Sequence, residues 1–437
     1  MTDQSTPLTE RKYVVPFVLV TSLFFLWAIG VNLNDVLIPH FKKAFGLSDF
    51  QSSFIQIAFF GGYFLGALPA GWLMEKIGYK GGILTGLLIC AAGALLFIPA
   101  SLVGAYGFFL LALFVMSSGQ SFLEVGANPY VTVLGPAESS ERRLNLAQSF
   151  NAVGAVITPF LGAMFILSGI EYTSGQLAAM SPQQLLAYRG QEASMVRVPY
   201  LVITGIFLLV AALIYFSRLP EVGSQENGAR NDNEENGLKN ILAHPHLIKG
   251  VIAQFFYVGA QVGVGSFVIR FVKHTMPDTP EKMAAQFLVG HQVGFMIGRF
   301  AGSAIMKRVP APRLLSIFGI GALACVAVGI TTSGLVSVLA IVMVGFFNSI
   351  MFPTIFALSL KNLGNLTKRG SSLLVMSIIG GALVPAAMGR ISDASNIQLA
   401  FVVPLVCYLY VIYFATAGYK PKAALRISQT ATASEAK

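Results

Sequence analysis

The chain has 437 residues, 55% of them hydrophobic and 11% charged, whereas charged residues make up about a quarter of a soluble globule. Together with a mean hydropathy of +0.71 and long charge-free runs, this excludes an aqueous domain and makes lipid the solvent. The net charge of +10 excludes less, but the basic residues sit in short loops rather than in one patch, which orients a membrane protein and argues against a nucleic-acid partner.

Residues 1–12 read as a polar tail without a small-residue cleavage site, so the first span is expected to be retained. Spans are predicted over 13–45, 49–75, 81–101, 105–135, 143–170 and 195–218, and these form the first unit, 13–218. Span 1 carries Trp27, Asn32, Asp35 and Pro39; Asn32 and Asp35 are three apart and Pro39 four further on, so they share a face, with Trp27 near it. In span 4, Gln120, Glu124 and Asn128 follow one another at helical spacing, a polar stripe that cannot face lipid. Span 5 adds Asn145, Gln148 and Asn151 in the same way.

A stretch rich in Gly, Asn and acid, 219–244, reads as a flexible linker. The second unit, 245–419, is expected to hold spans at 247–273, 281–306, 313–331, 335–361, 369–392 and 397–419, before a tail at 420–437. Span 7 brings Gln254, Tyr257 and Gln261. The basic candidates near the midplane are Arg270, His291 and Arg299. Cys90, Cys325 and Cys407 lie in apolar runs without metal-ligand spacing, and no metal or cofactor is expected.

An even number of spans puts both ends of the chain on one face. Twenty Lys and Arg fall in the tails and loops of that face and seven on the other, so both termini and the linker are expected in the cytoplasm of a bacterial inner membrane. The halves also echo each other: Ala127 to Pro136 and Gly154 to Gly162 parallel Met351 to Leu360 and Gly381 to Gly389. Parallel six-helix repeats are a transporter architecture with substrate held between them at the midplane.

A carboxylate in the hydrocarbon region costs about 2.5 to 3.5 kcal/mol even on the permissive insertion scale, so Asp35 and Glu124 need a partner, a cavity or a task. Neutral amides offer both donors and acceptors, as sugar hydroxyls require, and Trp27 or Tyr257 offers a flat apolar face. The set suits a neutral polyol better than a polyanion. Two bland readings stay open: each amide can simply join helices, and either acid can pair with Arg299.

The loop between spans 2 and 3 reads GWLMEKIGYK, and its Gly71, Glu75, Lys76, Gly78 and Lys80 resemble the signature of the major facilitator superfamily. FFLWAIGVNLNDVLIPHF, LEVGANPYVTVLGP, RLNLAQSFNAVGA and FNSIMFPTIFALSLKNLG, drawn from both halves, are similar to the fucose permease and glucose/galactose transporter family. The resemblance implies an all-α membrane fold of twelve transmembrane helices in two six-helix bundles about a pseudo-two-fold axis normal to the membrane. It implies that Asp35 and Glu124 couple protons and that Trp27, Asn32, Gln148 and Asn151 contact the sugar. Gln120, Asn128, Tyr257, Gln261 and Phe352 complete the expected binding set. One departure bears on the sugar: the fucose branch carries Gln-Tyr before the span 10 proline, where this chain has Met351-Phe352-Pro353, closer to the glucose/galactose branch. That branch in turn commonly has Gln where this chain keeps Glu124.

The expected activity is proton-coupled entry of a neutral monosaccharide, L-fucose first, with glucose, galactose or another hexose next and a passive facilitator as the rival. Aligning Pro129 with Pro353 sets Asn348 opposite Glu124, so the proton sites fall in the first half alone. The partners are a sugar, a proton and lipid, and the chain is expected to work as a monomer. No HExxH, GxSxG or P-loop pattern points to an enzyme or an ATP-driven pump.

Overall fold

The computed structural model describes residues 7–47, 49–166, 172, 174–217, 219–220 and 244–421. The expected linker and the C-terminal tail lie almost wholly outside them. So do a few side chains within helices, among them that of Asp35. All regular structure among the described residues is helical.

Nine stretches among the described residues are long and apolar enough to cross a bilayer. One of them, Phe54–Val103, has 50 residues and would reach about 75 Å as a straight helix, more than twice the hydrocarbon thickness of about 30 Å. It is broken at Gly78, where φ 75° and ψ 176° interrupt the helical path. Only glycine enters that region without strain, and the break divides span 2 from span 3. Two further helices of spanning length, Ser140–Phe165 and Glu281–Ile305, carry Asn145, Gln148 and Asn151, and His291 and Arg299, among their apolar residues. They are spans 5 and 8, and their polarity is what a helix beside a central cavity needs rather than one facing lipid.

Spans 1, 4, 6 and 7 are Val14–Phe45, Tyr106–Val133, Arg197–Phe216 and Pro245–Thr275. Span 9 is Ala311–Thr331. Span 10 is two helices, Gly334–Asn348 and Met351–Ser359. Pro353 lies in the first turn of the second helix, where its missing N–H costs least. Span 11 runs as Thr367–Met376 and Gly380–Ala394 through a short 3₁₀ turn, and span 12 ends in a π-helical turn, Phe414–Gly418.

Between spans 5 and 6 the sequence suggested only a loop, but two short helices stand there, Ser174–Ala179 and Pro182–Ser194. The second starts at a capping box in which the Ser181 hydroxyl accepts from the Gln184 N–H and the Gln184 side chain accepts from the Ser181 N–H. It packs on span 1.

The halves meet where span 5 packs on span 8, span 2 on span 11, and spans 4 and 5 on the second helix of span 10. Ion pairs and hydrogen bonds join them as well. The Glu75 carboxylate accepts from Arg369 Nε at 2.6 Å and Nη2 at 2.9 Å. Lys368 Nζ donates to the Met74 carbonyl at 2.8 Å, the Ser371 hydroxyl donates to the Val125 carbonyl at 2.8 Å, and Lys361 pairs with Glu141.

Candidate substrate and proton site

The polar stripe of span 4 faces the inside of the molecule. Gln120 and Asn128 are fully buried and Glu124 is 7% exposed. The Tyr63 hydroxyl of span 2 and the Asn128 side chain stand beside the Glu124 carboxyl, and the Arg299 guanidinium acts on it from the other half. Among the described residues, its polar surroundings are thus two neutral groups and a cation whose hydrogen bonds go elsewhere.

The cation's hydrogen bonds go to Gln148. Arg299 Nη1 donates to the Gln148 side-chain oxygen at 2.8 Å and to its backbone carbonyl. Gln148 Nε2 in turn donates to Asn128 Oδ1 at 3.0 Å. Arg299 also lies over the Phe295 ring, 4.6 Å from its centroid. The result is a continuous polar chain, from Glu124 and Asn128 through Gln148 to Arg299, that crosses from one half to the other. Among the described residues Arg299 bonds to the Gln148 amide and makes no direct ion pair with Glu124, on which it acts only through its charge.

The other expected residues divide. Trp27 is buried against Phe24, ring centroids 4.3 Å apart. Asn32 bonds its own helix at the Ala28 carbonyl, 2.7 Å away. Asn151 Nδ2 donates to the Phe24 carbonyl of span 1 at 3.2 Å, so that amide joins two helices. Among the described residues neither amide atom of Gln120 has a hydrogen-bond partner; the side chain lies over Gly30, where a Cβ would strike its Nε2. The side chain of Asp35 lies outside what the structure describes.

On the opposite wall, the Tyr257 hydroxyl donates to the Asn348 carbonyl at 3.0 Å. Its ring lies 6.4 Å from that of Phe352, which stacks on Phe356. Gln261, one turn beyond Tyr257, is half-buried.

The loop motif is assembled too. Gly71 is pressed against span 11, where a Cβ would strike the Ser372 hydroxyl and approach the Lys368 carbonyl to 3.2 Å. Glu75 makes the Arg369 pair, Lys76 lies over the Trp72 ring, and Lys80 Nζ donates to the Tyr215 and Ser217 carbonyls at the end of span 6, both at 2.8 Å. Sequence reasoning missed Tyr63, a lone tyrosine in an apolar span, and Arg369, Lys368 and Lys361, which read as ordinary loop charges. Among the described residues no group of His, Cys, Asp or Glu has the spacing of a metal site.

The comparisons with known proteins agree along the length of the chain. The Major Facilitator Superfamily model matches residues 20–377. The L-fucose-proton symporter of Escherichia coli (strain K12) is 43% identical over 409 residues, 93% of each chain. The glucose/galactose transporter of Brucella abortus biovar 1 (strain 9-941) is 40% identical, covering 94% of this chain and 96% of its own. Among solved structures, the major facilitator FucP in the outward conformation superposes with a TM-score of 0.86 at 44% identity, over 93% of this chain and 99% of the other. A proton:xylose symporter at 13% identity and a TM-score of 0.71 shares the fold alone.

Proposed function

Because the chain belongs to the major facilitator superfamily, we propose that it brings a neutral monosaccharide into the cell together with a proton, L-fucose being the first candidate. What carries the reading is the buried Glu124 beside a chain of amides to which both halves contribute, in a protein similar throughout to a fucose-proton symporter. Glu124 takes up the proton, with Asp35 as the second coupling acid. Gln120, Asn128, Gln148, Asn151 and Asn32 offer hydrogen bonds to sugar hydroxyls. Trp27, Tyr257, Gln261 and Phe352 form the remaining walls.

The halves, 13–218 and 245–419, act as rocking units joined by the 219–244 linker, with the Gly71–Lys80 motif and Arg369 closing the cytoplasmic side. In this reading the termini are cytoplasmic, the membrane is the bacterial inner membrane and the working unit is a monomer in lipid, acting as a carrier without chemical change to the sugar. Each proton moving inward gains about 2.3 kcal/mol per 100 mV of membrane potential. Phe352 favours a second reading for the sugar, glucose or galactose, because a phenyl ring brings no hydroxyl to that wall.

The test is uptake by the purified protein in proteoliposomes with an imposed inward proton gradient, each labelled sugar competed in turn. L-Fucose should accumulate above its external concentration and compete best. Accumulation of no sugar would overturn the reading, and accumulation of glucose or galactose without fucose would favour the second sugar.

A further inference from the structure

The interior of the C-terminal half holds a polar cluster that the site above does not use. Gln254 of span 7, Asn348 at the end of the first helix of span 10 and Tyr408 of span 12 are each fully buried. Among the described residues, both amide atoms of Gln254, both amide atoms of Asn348 and the Tyr408 hydroxyl have no partner within direct hydrogen-bond distance. The Tyr408 hydroxyl nonetheless faces the Asn348 side chain. Gln254 lies on the same face of span 7 as Gly250 and Tyr257, at four and three residues. Gly250 packs on Ser359 of span 10 and Phe414 of span 12, and Tyr257 bonds the Asn348 carbonyl. Gln254 therefore lies on the face of span 7 that packs against spans 10 and 12.

Leaving a buried polar group unsatisfied is costly, and buried polar groups in native proteins nearly always have a partner. A polar contact longer than a direct hydrogen bond is a place where a water can bridge the two groups. No acid or base belongs to the cluster, so its chemistry fits a neutral ligand that both donates and accepts. We infer that Gln254, Asn348 and Tyr408 form an internal hydration site for about one or two water molecules at the break of span 10. Its place has meaning in the fold. The helical pattern of span 10 is interrupted between Asn348 and Met351, and the Tyr257 hydroxyl, bonded to the Asn348 carbonyl, also faces the backbone of Phe352 across the break. Water that can reorient satisfies the two amides at more than one bend of the helix, whereas a direct amide pair would fix one angle.

Radiolytic hydroxyl-radical labelling of the full-length protein, read by mass spectrometry, tests this because bound water generates the label where it sits. Tyr408, Cys407 and Met351 should be modified at least severalfold faster than Cys90 and Met116, which are equally buried in the other half. Asn348→Leu should return Tyr408 to the control rate and lower the melting temperature; should that variant not accumulate, Gln254→Met supplies the same comparison at similar volume. Labelling of the three wild-type side chains at the control rate would overturn the inference. So would a melting temperature raised by Asn348→Leu, the result expected if the amide were dry.

Discussion

At the scale of single residues, the site turns on how Gln148 is held. Its amide donates to Asn128 and accepts from Arg299, so a sugar hydroxyl binding there exchanges one set of hydrogen bonds for another. Gln148→Ala should weaken sugar binding by on the order of 1 kcal/mol, about fivefold, measured by calorimetry on purified protein; unchanged affinity would reduce Gln148 to a link between helices. Asn151→Ala should behave differently, because its amide already holds the Phe24 carbonyl. It should lower the melting temperature at least as clearly as the affinity, and a lowered affinity at unchanged melting temperature would contradict that assignment. The stripe of Gln120, Glu124 and Asn128 was legible in the sequence because helical spacing alone puts the three on one face. The partner of Arg299 was not: spacing carries no information about a contact 151 residues away, and charge alone pointed to an acid rather than an amide.

At the scale of elements, span 10 is the part most exposed to test. If its wall selects the sugar, Met351→Gln combined with Phe352→Tyr should shift preference toward fucose by severalfold in competition uptake, since a phenol adds a hydroxyl that a phenyl ring lacks. An unchanged preference profile would remove span 10 from the specificity argument. The break in this span was only half legible. Pro353 signals a place where the helical ladder cannot run on, but Asn348, Ser349 and Ile350 lie inside one charge-free run, and the bond from the Tyr257 hydroxyl to the Asn348 carbonyl comes from a residue 91 positions away. The helix Pro182–Ser194 was missed for a different reason. Ser181 and Gln184 spell out its capping box, yet the segment is too polar for a span, and a search for spans passes over it.

At the scale of the whole molecule, the pairs Glu75–Arg369 and Glu141–Lys361 join the two halves. Glu75 and Arg369 are partly exposed, so their bond is worth about 1 kcal/mol at most. Glu75→Gln should therefore shift the population toward opening at that pair without unfolding the protein. Hydrogen exchange in the helix Thr367–Met376 should rise by up to about fivefold, and exchange at the wild-type rate would show that the pair does not set the balance. The two-bundle architecture was legible from charge bias and internal repetition, because hydropathy and loop charge govern insertion into lipid. These pairs were not, since one sequence serves every conformation the carrier visits.

The central claim is that sugar and proton move together through Glu124. The direct measurement is the external pH of lightly buffered proteoliposomes when the transported sugar is added without an imposed gradient, for the wild-type protein and Glu124→Gln. The wild-type protein should alkalinise the medium as sugar enters. Glu124→Gln should leave the pH unchanged while still exchanging labelled for unlabelled sugar, because a permanently neutral side chain permits reorientation without a proton. Wild-type sugar entry with no change in pH, or an undiminished pH rise from Glu124→Gln, would contradict the account.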